Sequence, residues 1–223
     1  MSLISPIIII LNGPRSSGKD MIADRISSQY NVIHNRFKTS LYEISASIAG
    51  MDEERFIELA SDTNQKEQPL NELWGLSPRN FMIKVSEEVI KPNFGKYYFG
   101  ERTVKDIQTT LDFFNNSRFN FDKKHQFFIY SDGGFSKEII PIVERYGKDA
   151  AKIVHLKRDG YDFQGDSRRY LYQKDFASGV CPNFFTEIHQ EEGNPQKAVD
   201  EVVSLMHTCL ADLRNKGETD ETR

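Results

Sequence analysis

Gly13-Pro14-Arg15-Ser16-Ser17-Gly18-Lys19-Asp20 decides how the rest of the chain is read. The apolar run Ile7-Ile8-Ile9-Ile10-Leu11 precedes it, and a segment with helical character, Met21 to Tyr30, follows. Strand, glycine loop, Gly-Lys and helix form the pattern of a phosphate-binding loop. Gly13 and Gly18 let the backbone curl so that its N–H groups face phosphate oxygens, with Arg15, Ser16 and Ser17 between them. The N-terminus of the new helix adds a partial positive charge at the same place. Lys19 then reaches the β- and γ-phosphates. Ser or Thr usually follows the Lys and binds Mg²⁺. Here Asp20 stands there, a carboxylate able to hold Mg²⁺ directly or through a water.

The 223 residues are 38% hydrophobic and 28% charged, with a formal net charge of -4. Such a balance fits one globular domain, and it argues against a protein built to grip a nucleic acid backbone. Cys181 and Cys209 are too few for a disulfide framework and are expected to be free thiols. The five histidines show no i, i+4 pair, so no metal site is read from them. No apolar run reaches the length of a membrane span, and no basic leader opens the chain, so a cytoplasmic location is expected. Asn115-Asn116-Ser117 matches a glycosylation pattern, read as a chance match in a cytoplasmic chain.

Short apolar runs alternate with helical segments. Strands are expected at Ile7–Leu11, 31–34, Phe127–Tyr130, Lys152–Leu156 and Phe184–Ile188. Helices are expected from Ser40 to Ala49 with Leu41, Ile44 and Ile48 on one face, and from Asp52 to Ala60 with Asp52 as N-cap. Ser77 caps a further helix with Pro78 at its first position, through Phe81, Met82, Val85 and Val89 to Pro92. Lys96 to Phe114, Ile139 to Tyr146 and Ala198 to Leu213 complete the set. Asn115 to Lys124 reads as a surface connection. The alternation predicts an α/β fold, a parallel sheet covered on both faces, with sites at the C-terminal ends of its strands. Gly13–Asp20, Asp132, Arg158 and the residues after Ile188 should therefore converge.

These residues resemble the deoxynucleoside monophosphate kinases of tailed phages, within the P-loop nucleotide kinase superfamily. Besides the loop with its Gly-Lys-Asp, the resemblance rests on Ser77-Pro78-Arg79 opening a helix that closes at Pro92-Asn93-Phe94-Gly95. It rests also on Ser131-Asp132 with Phe135 following, on Leu156-Lys157-Arg158 before a polar lid, and on Glu191-Glu192-Gly193-Asn194. It implies a three-layer sandwich around a five-stranded, mainly parallel sheet. The core would span about 1–36 and 123–214. A helical acceptor-binding insertion would span about 37–122, with a lid at about 159–182 and a disordered tail at 215–223. It implies ATP as co-substrate with Mg²⁺, a nucleoside monophosphate as acceptor, and nucleotides rather than nucleic acid or membrane as partners; a homodimer is compatible with it.

Within that resemblance Lys19, Asp132, Arg158 and Arg168 are the candidate catalytic residues. Arg79, Arg102 and Lys38 are the acceptor-binding candidates, and Asn194 lies in the adenine-side loop. Gly134 stands where the family often has Arg, and Tyr42 where it tends to have Lys. Two other readings stay open. One is a kinase for a hydroxyl acceptor, such as hydroxymethylated pyrimidine in DNA, with Asp132 as base. The other is a nucleotide-binding protein that has lost its acceptor site. A GTPase is set aside because no Asn-Lys-x-Asp run occurs in a suitable place.

Overall fold

The computed structural model describes residues 5–116 and 125–220. Five strands, β1 Ser5–Asn12, β2 Val32–Asn35, β3 His125–Gly133, β4 Ala151–Arg158 and β5 Phe184–Gln190, form one sheet in the order β2-β3-β1-β4-β5. Every pairing is parallel, so the mainly parallel sheet expected from the sequence is wholly so. Parallel neighbours require crossovers, and helices supply them. Those between strands are α1 (Lys19–Gln29), α2 (Thr39–Ala49), α3 (Glu53–Ser61), α4 (Pro78–Lys84), α5 (Lys91–Phe94), α6 (Tyr98–Asn116) and α7 (Ser136–Tyr146), and α8 (Pro195–Asp220) follows the last strand.

β1 shows why the sandwich has three layers. Its side chains alternate between faces. Ile7, Ile9 and Leu11 pack with Ile22 and Ile26 of α1 and with Val199 and Val202 of α8. Ile8 and Ile10 pack on the opposite face with Ile107 of α6 and with Ile139 and Ile142 of α7. A run of five apolar residues is therefore a central strand buried on both sides.

A third core belongs to the helical insertion, where Tyr42, Phe56, Leu73, Phe81 and Phe99 pack together. Asp52 caps α3 by accepting from the amides of Glu54 and Arg55, and the Ser77 side chain accepts from the Asn80 amide ahead of α4. Both caps are as the sequence predicts. Two expectations about helix faces are corrected. α2 buries Tyr42, Ser45 and Ala46 and leaves Ile48 exposed. The helix from Ser77 contains a π-helical turn, Val85–Ile90, before α5. Pro92 cannot donate to the carbonyl four residues back and its ring would clash there, which the wider turn relieves. The extra residue moves the buried face from Val89, which is exposed, to Ile90.

α7 begins at Ser136, earlier than expected, and carries Pro141 within it. α8 continues to Asp220, so the disordered tail expected from 215 is helical through that residue. The expected connection Asn115–Lys124 lies mostly outside the described residues, as does Ser117 of the glycosylation pattern. Cys181 and Cys209 are free thiols. Among the described residues no helix is long and apolar enough to cross a membrane.

Candidate phosphate-binding site

The loop between β1 and α1 is a tight, mostly buried arch. Gly18 has φ +85°, a conformation that glycine adopts without penalty, and α1 starts at the next residue. Ser16 is one of two described non-glycine residues at positive φ (+57°), local backbone strain of the sort concentrated at binding sites. Ser17 is fully buried and donates from Oγ to the Pro14 carbonyl at 2.9 Å. Lys19 folds back over the arch: Nζ donates to the same carbonyl and stands 3.4 Å from Ser17 Oγ. Burial, and then the charge of Arg168, lower its pKa to about 8 against the pull of Asp20, Asp166 and Asp132. The lysine ammonium is thus engaged by the loop itself.

Asp20 points away from that lysine bond. Its Oδ1 accepts from Arg36 Nε at 2.8 Å and from Ser131 Oγ at 2.7 Å, and Ser131 is in turn 2.8 Å from His34 Nε2. Burial works to raise the Asp20 pKa, but the bonds from Ser131 and Arg36 outweigh it and leave the carboxylate below its ordinary value. The side chain is still about half exposed. Among the described residues no group of three or more His, Cys, Asp or Glu converges as a metal cage. One ionised, solvent-facing carboxylate beside a phosphate loop suits an Mg²⁺ shared with a nucleotide's phosphates, since that ion is commonly held by one or two carboxylates plus phosphate and water.

Three arginines meet the loop. Arg15, in the loop itself, donates from Nε to Asp166 Oδ2 at 3.2 Å. Arg158, at the end of β4, donates from Nη1 to the Ser16 carbonyl at 3.4 Å and lies over the Tyr161 ring, 4.4 Å from its centroid. Arg168 donates to the same Asp166 carboxylate from Nε and Nη2. The Asp166 side chain is 4% exposed, and although burial raises its pKa, the bonds to Arg168 bring it down to about 2. Beside this group, a cleft of about 410 Å³ is lined by Lys157, Arg158, Tyr161, Gln190, Glu192 and Lys197 at the ends of β4 and β5.

Asp132 is not a free carboxylate. Its Oδ1 accepts from the Phe37 amide at 2.8 Å and its Oδ2 from the Lys38 amide at 3.2 Å, which anchors the turn entering α2. That turn brings Lys38 to the site, its Nζ 5.3 Å from the centre of the Tyr42 ring. No family model matches this chain, and no curated protein matches it in sequence. The remaining sequence-predicted residues are therefore placed by geometry alone.

Arg79 is held inside the insertion, donating from Nε to Glu67 at 2.5 Å, and Arg102 pairs with Glu43 at 3.3 Å. Asn194 bonds Glu191 in the turn ahead of α8 and lines a shallow depression on that helix rather than the 410 Å³ cleft. Lys19, Asp20, Arg15, Arg158, Arg168, Asp132 and Lys38 come together; Arg79, Arg102 and Asn194 are occupied by local carboxylates. Sequence reasoning gave no role to Arg36, Asp166 or Glu138, and singled out Ser131 only as part of the motif with Asp132, not as a partner of Asp20. The Oε2 of Glu138 is buried without a hydrogen-bond partner. Burial, and then the negative charge of Asp132, hold its pKa well above 4.5.

Proposed function

We propose that the chain is an ATP-dependent nucleotide kinase that transfers a phosphoryl group to a (deoxy)nucleoside monophosphate and yields the diphosphate. The observation that carries this reading is the phosphate loop itself, with buried Lys19 at the start of α1 and Arg15, Arg158 and Arg168 bonded around it. Such a site stabilises charge spread over phosphate oxygens and has no nucleophile of its own.

The engagement of Asp132 favours a phosphate acceptor over a hydroxyl acceptor. Both of its oxygens already bond backbone amides, which is poor provision for a general base. An acceptor phosphate needs no base, because its second pKa is about 6 and it is largely ionised near neutral pH. Its oxygen attacks the γ-phosphorus, the bond to the bridging β–γ oxygen breaks, and ADP leaves with that electron pair. Lys19 binds the β- and γ-phosphates after leaving the Pro14 carbonyl. Arg158 and Arg168 hold charge on the transferring group, and Arg15 holds the donor phosphates. Asp20 would hold Mg²⁺, which when bound neutralises part of the phosphate charge. The nucleoside of ATP occupies the cleft beside Tyr161. Lys38 is the acceptor-side cation nearest the loop network; Arg79 and Arg102 serve the acceptor by exchanging Glu67 and Glu43 for its phosphate.

The experiment is ADP release from ATP with each common deoxynucleoside monophosphate, alongside hydroxymethylated DNA. Turnover with a monophosphate supports the reading. Turnover with DNA alone moves the acceptor to a hydroxyl, and tight ATP binding without turnover on either leaves a nucleotide-binding protein.

A further inference from the structure

We propose that Gly134 and Asp166 are positioning residues that together seat the Arg168 guanidinium beside the phosphate loop; the inference rests on the kinase reading above. Gly134 follows β3, two residues beyond Asp132. A Cβ built there would lie 2.6 Å from Arg168 Cγ, 2.6 Å from its Cδ and 2.8 Å from its Cβ. The arginine stem therefore lies directly on the bare backbone at position 134. The overlap involves the root of the side chain, which cannot swing clear as a flexible tip could.

The head of the side chain is held separately. Arg168 Nε is 3.1 Å from Asp166 Oδ1 and 3.2 Å from Oδ2, and Nη2 is 2.7 Å from Oδ2. The Arg168 amide also donates to Asp166 Oδ1 at 3.1 Å. Fork-shaped pairing of this sort fixes the guanidinium plane as well as its position. The chain that follows is tied to β1: Asn12 Nδ2 donates to the Arg169 carbonyl at 3.0 Å and Asn12 Oδ1 accepts from the Leu171 amide at 2.8 Å. Stem, head and following backbone are thus fixed by three different parts of the fold.

What this fixed cation faces points to its use. Asp166 also takes Arg15 of the phosphate loop, so one carboxylate holds two guanidinium groups at the loop's mouth. The charge of Arg168 is also close enough to Lys19 to act on it. Arg15, Arg168 and Lys19 stand around an arch of backbone amides, with Asp166 as the carboxylate the two arginines share, and a polyphosphate is an anion that such a cluster would draw. An arginine set in advance needs no reorganisation when charge develops on the transferring group.

The test is a mutant cycle on kcat, KM and ATP affinity, with Arg168→Met as reference and Gly134→Ala and Asp166→Asn as the seat variants. Misplacement of about 1 Å costs up to about 100-fold in rate. Each seat variant should therefore lose about 10- to 100-fold in kcat, with its KM for the monophosphate and its melting temperature near the parent's. Added to Arg168→Met, Gly134→Ala should cause no further loss, because the group it positions is gone. Asp166 also holds Arg15, so its background is Arg15→Met with Arg168→Met, and added to that pair Asp166→Asn should cause no further loss either. Full activity in both single variants, or losses that multiply with those of these backgrounds, would overturn the seat. Where Gly134→Ala fails to fold, the Asp166→Asn cycle decides alone. If the parent binds ATP but turns over no monophosphate, the kinase reading fails, and the same cycles are read by calorimetry: weaker ATP binding that does not multiply with the background keeps the seat, and unchanged or multiplying affinities reject it. A parent that binds no ATP rejects both.

Discussion

At the scale of single residues the site is a balance of charge against burial, and that balance can be titrated. Lys19 has a pKa of about 8 in the ligand-free protein because burial and Arg168 both oppose its charge. A bound polyphosphate favours the charged form, so its pKa rises and the protein takes up a proton. At pH 8 that uptake should be about half a proton per ATP, falling toward zero near pH 6. Calorimetry in buffers of different ionisation enthalpy measures it, and Lys19→Met should abolish the pH-8 component. Glu138 shows the opposite case. Its folded pKa is raised, so its contribution to stability is fully present below 4.5 and is lost as pH rises through the folded value. Glu138→Gln keeps the neutral form at every pH. Its melting temperature should match the parent's near pH 4 and exceed it increasingly as pH rises toward the folded value; a gap that stays constant with pH would remove Glu138 from this role. The phosphate loop was legible in the sequence because its parts are neighbours. Arg36 and Ser131 were not, since they bond Asp20 across 16 and 111 residues, nor was the link from Arg15 to Asp166 across 151.

At the scale of elements, the crossing from β2 into α2 depends on one carboxylate at the end of β3. Asp132 satisfies two amides at the start of that helix, and loss of such a cap costs about 1–2 kcal/mol. Asp132→Ala should lower the urea midpoint by a corresponding amount, while Asp132→Asn, still an acceptor, should lose less. Equal stability of all three proteins would mean that the two amide bonds contribute nothing and that the side chain is free to act as a base. Local signals gave the element starts well: Asp52 and Ser77 cap as their sequence context predicts. They failed where a constraint acts over distance. Pro92 acts upstream to widen the turn Val85–Ile90, and a periodicity of 3.6 cannot show the extra residue. Pro141 is accommodated inside α7, whose flanking Ile139, Ile140, Ile142 and Val143 are all buried. Packing there outweighs the missing backbone hydrogen bond.

At the scale of the molecule, the sheet order β2-β3-β1-β4-β5 places β1 at the centre and brings the ends of β3 and β4 to either side of the phosphate loop. Asp132 and Gly134 approach from one flank and Arg158 from the other, and the chain between β4 and β5 returns Asp166 and Arg168 over the top. The insertion between β2 and β3 has its own aromatic core and joins this centre through Asp132 and Lys38. One pole of the molecule therefore gathers cations from four separate stretches, Arg15 with Lys19, Arg36 with Lys38, Arg158 and Arg168, around an arch of amides. The most direct measurement of its purpose uses ATP labelled at the γ-phosphate, incubated with Mg²⁺ and each common deoxynucleoside monophosphate, with the parent protein and Lys19→Ala side by side. Label should appear in a nucleoside diphosphate with the parent, and Lys19→Ala should slow that transfer by about 10²- to 10³-fold, the usual effect of removing one preorganised group. Label that reaches no monophosphate, or transfer by Lys19→Ala within a few-fold of the parent, would contradict the assignment.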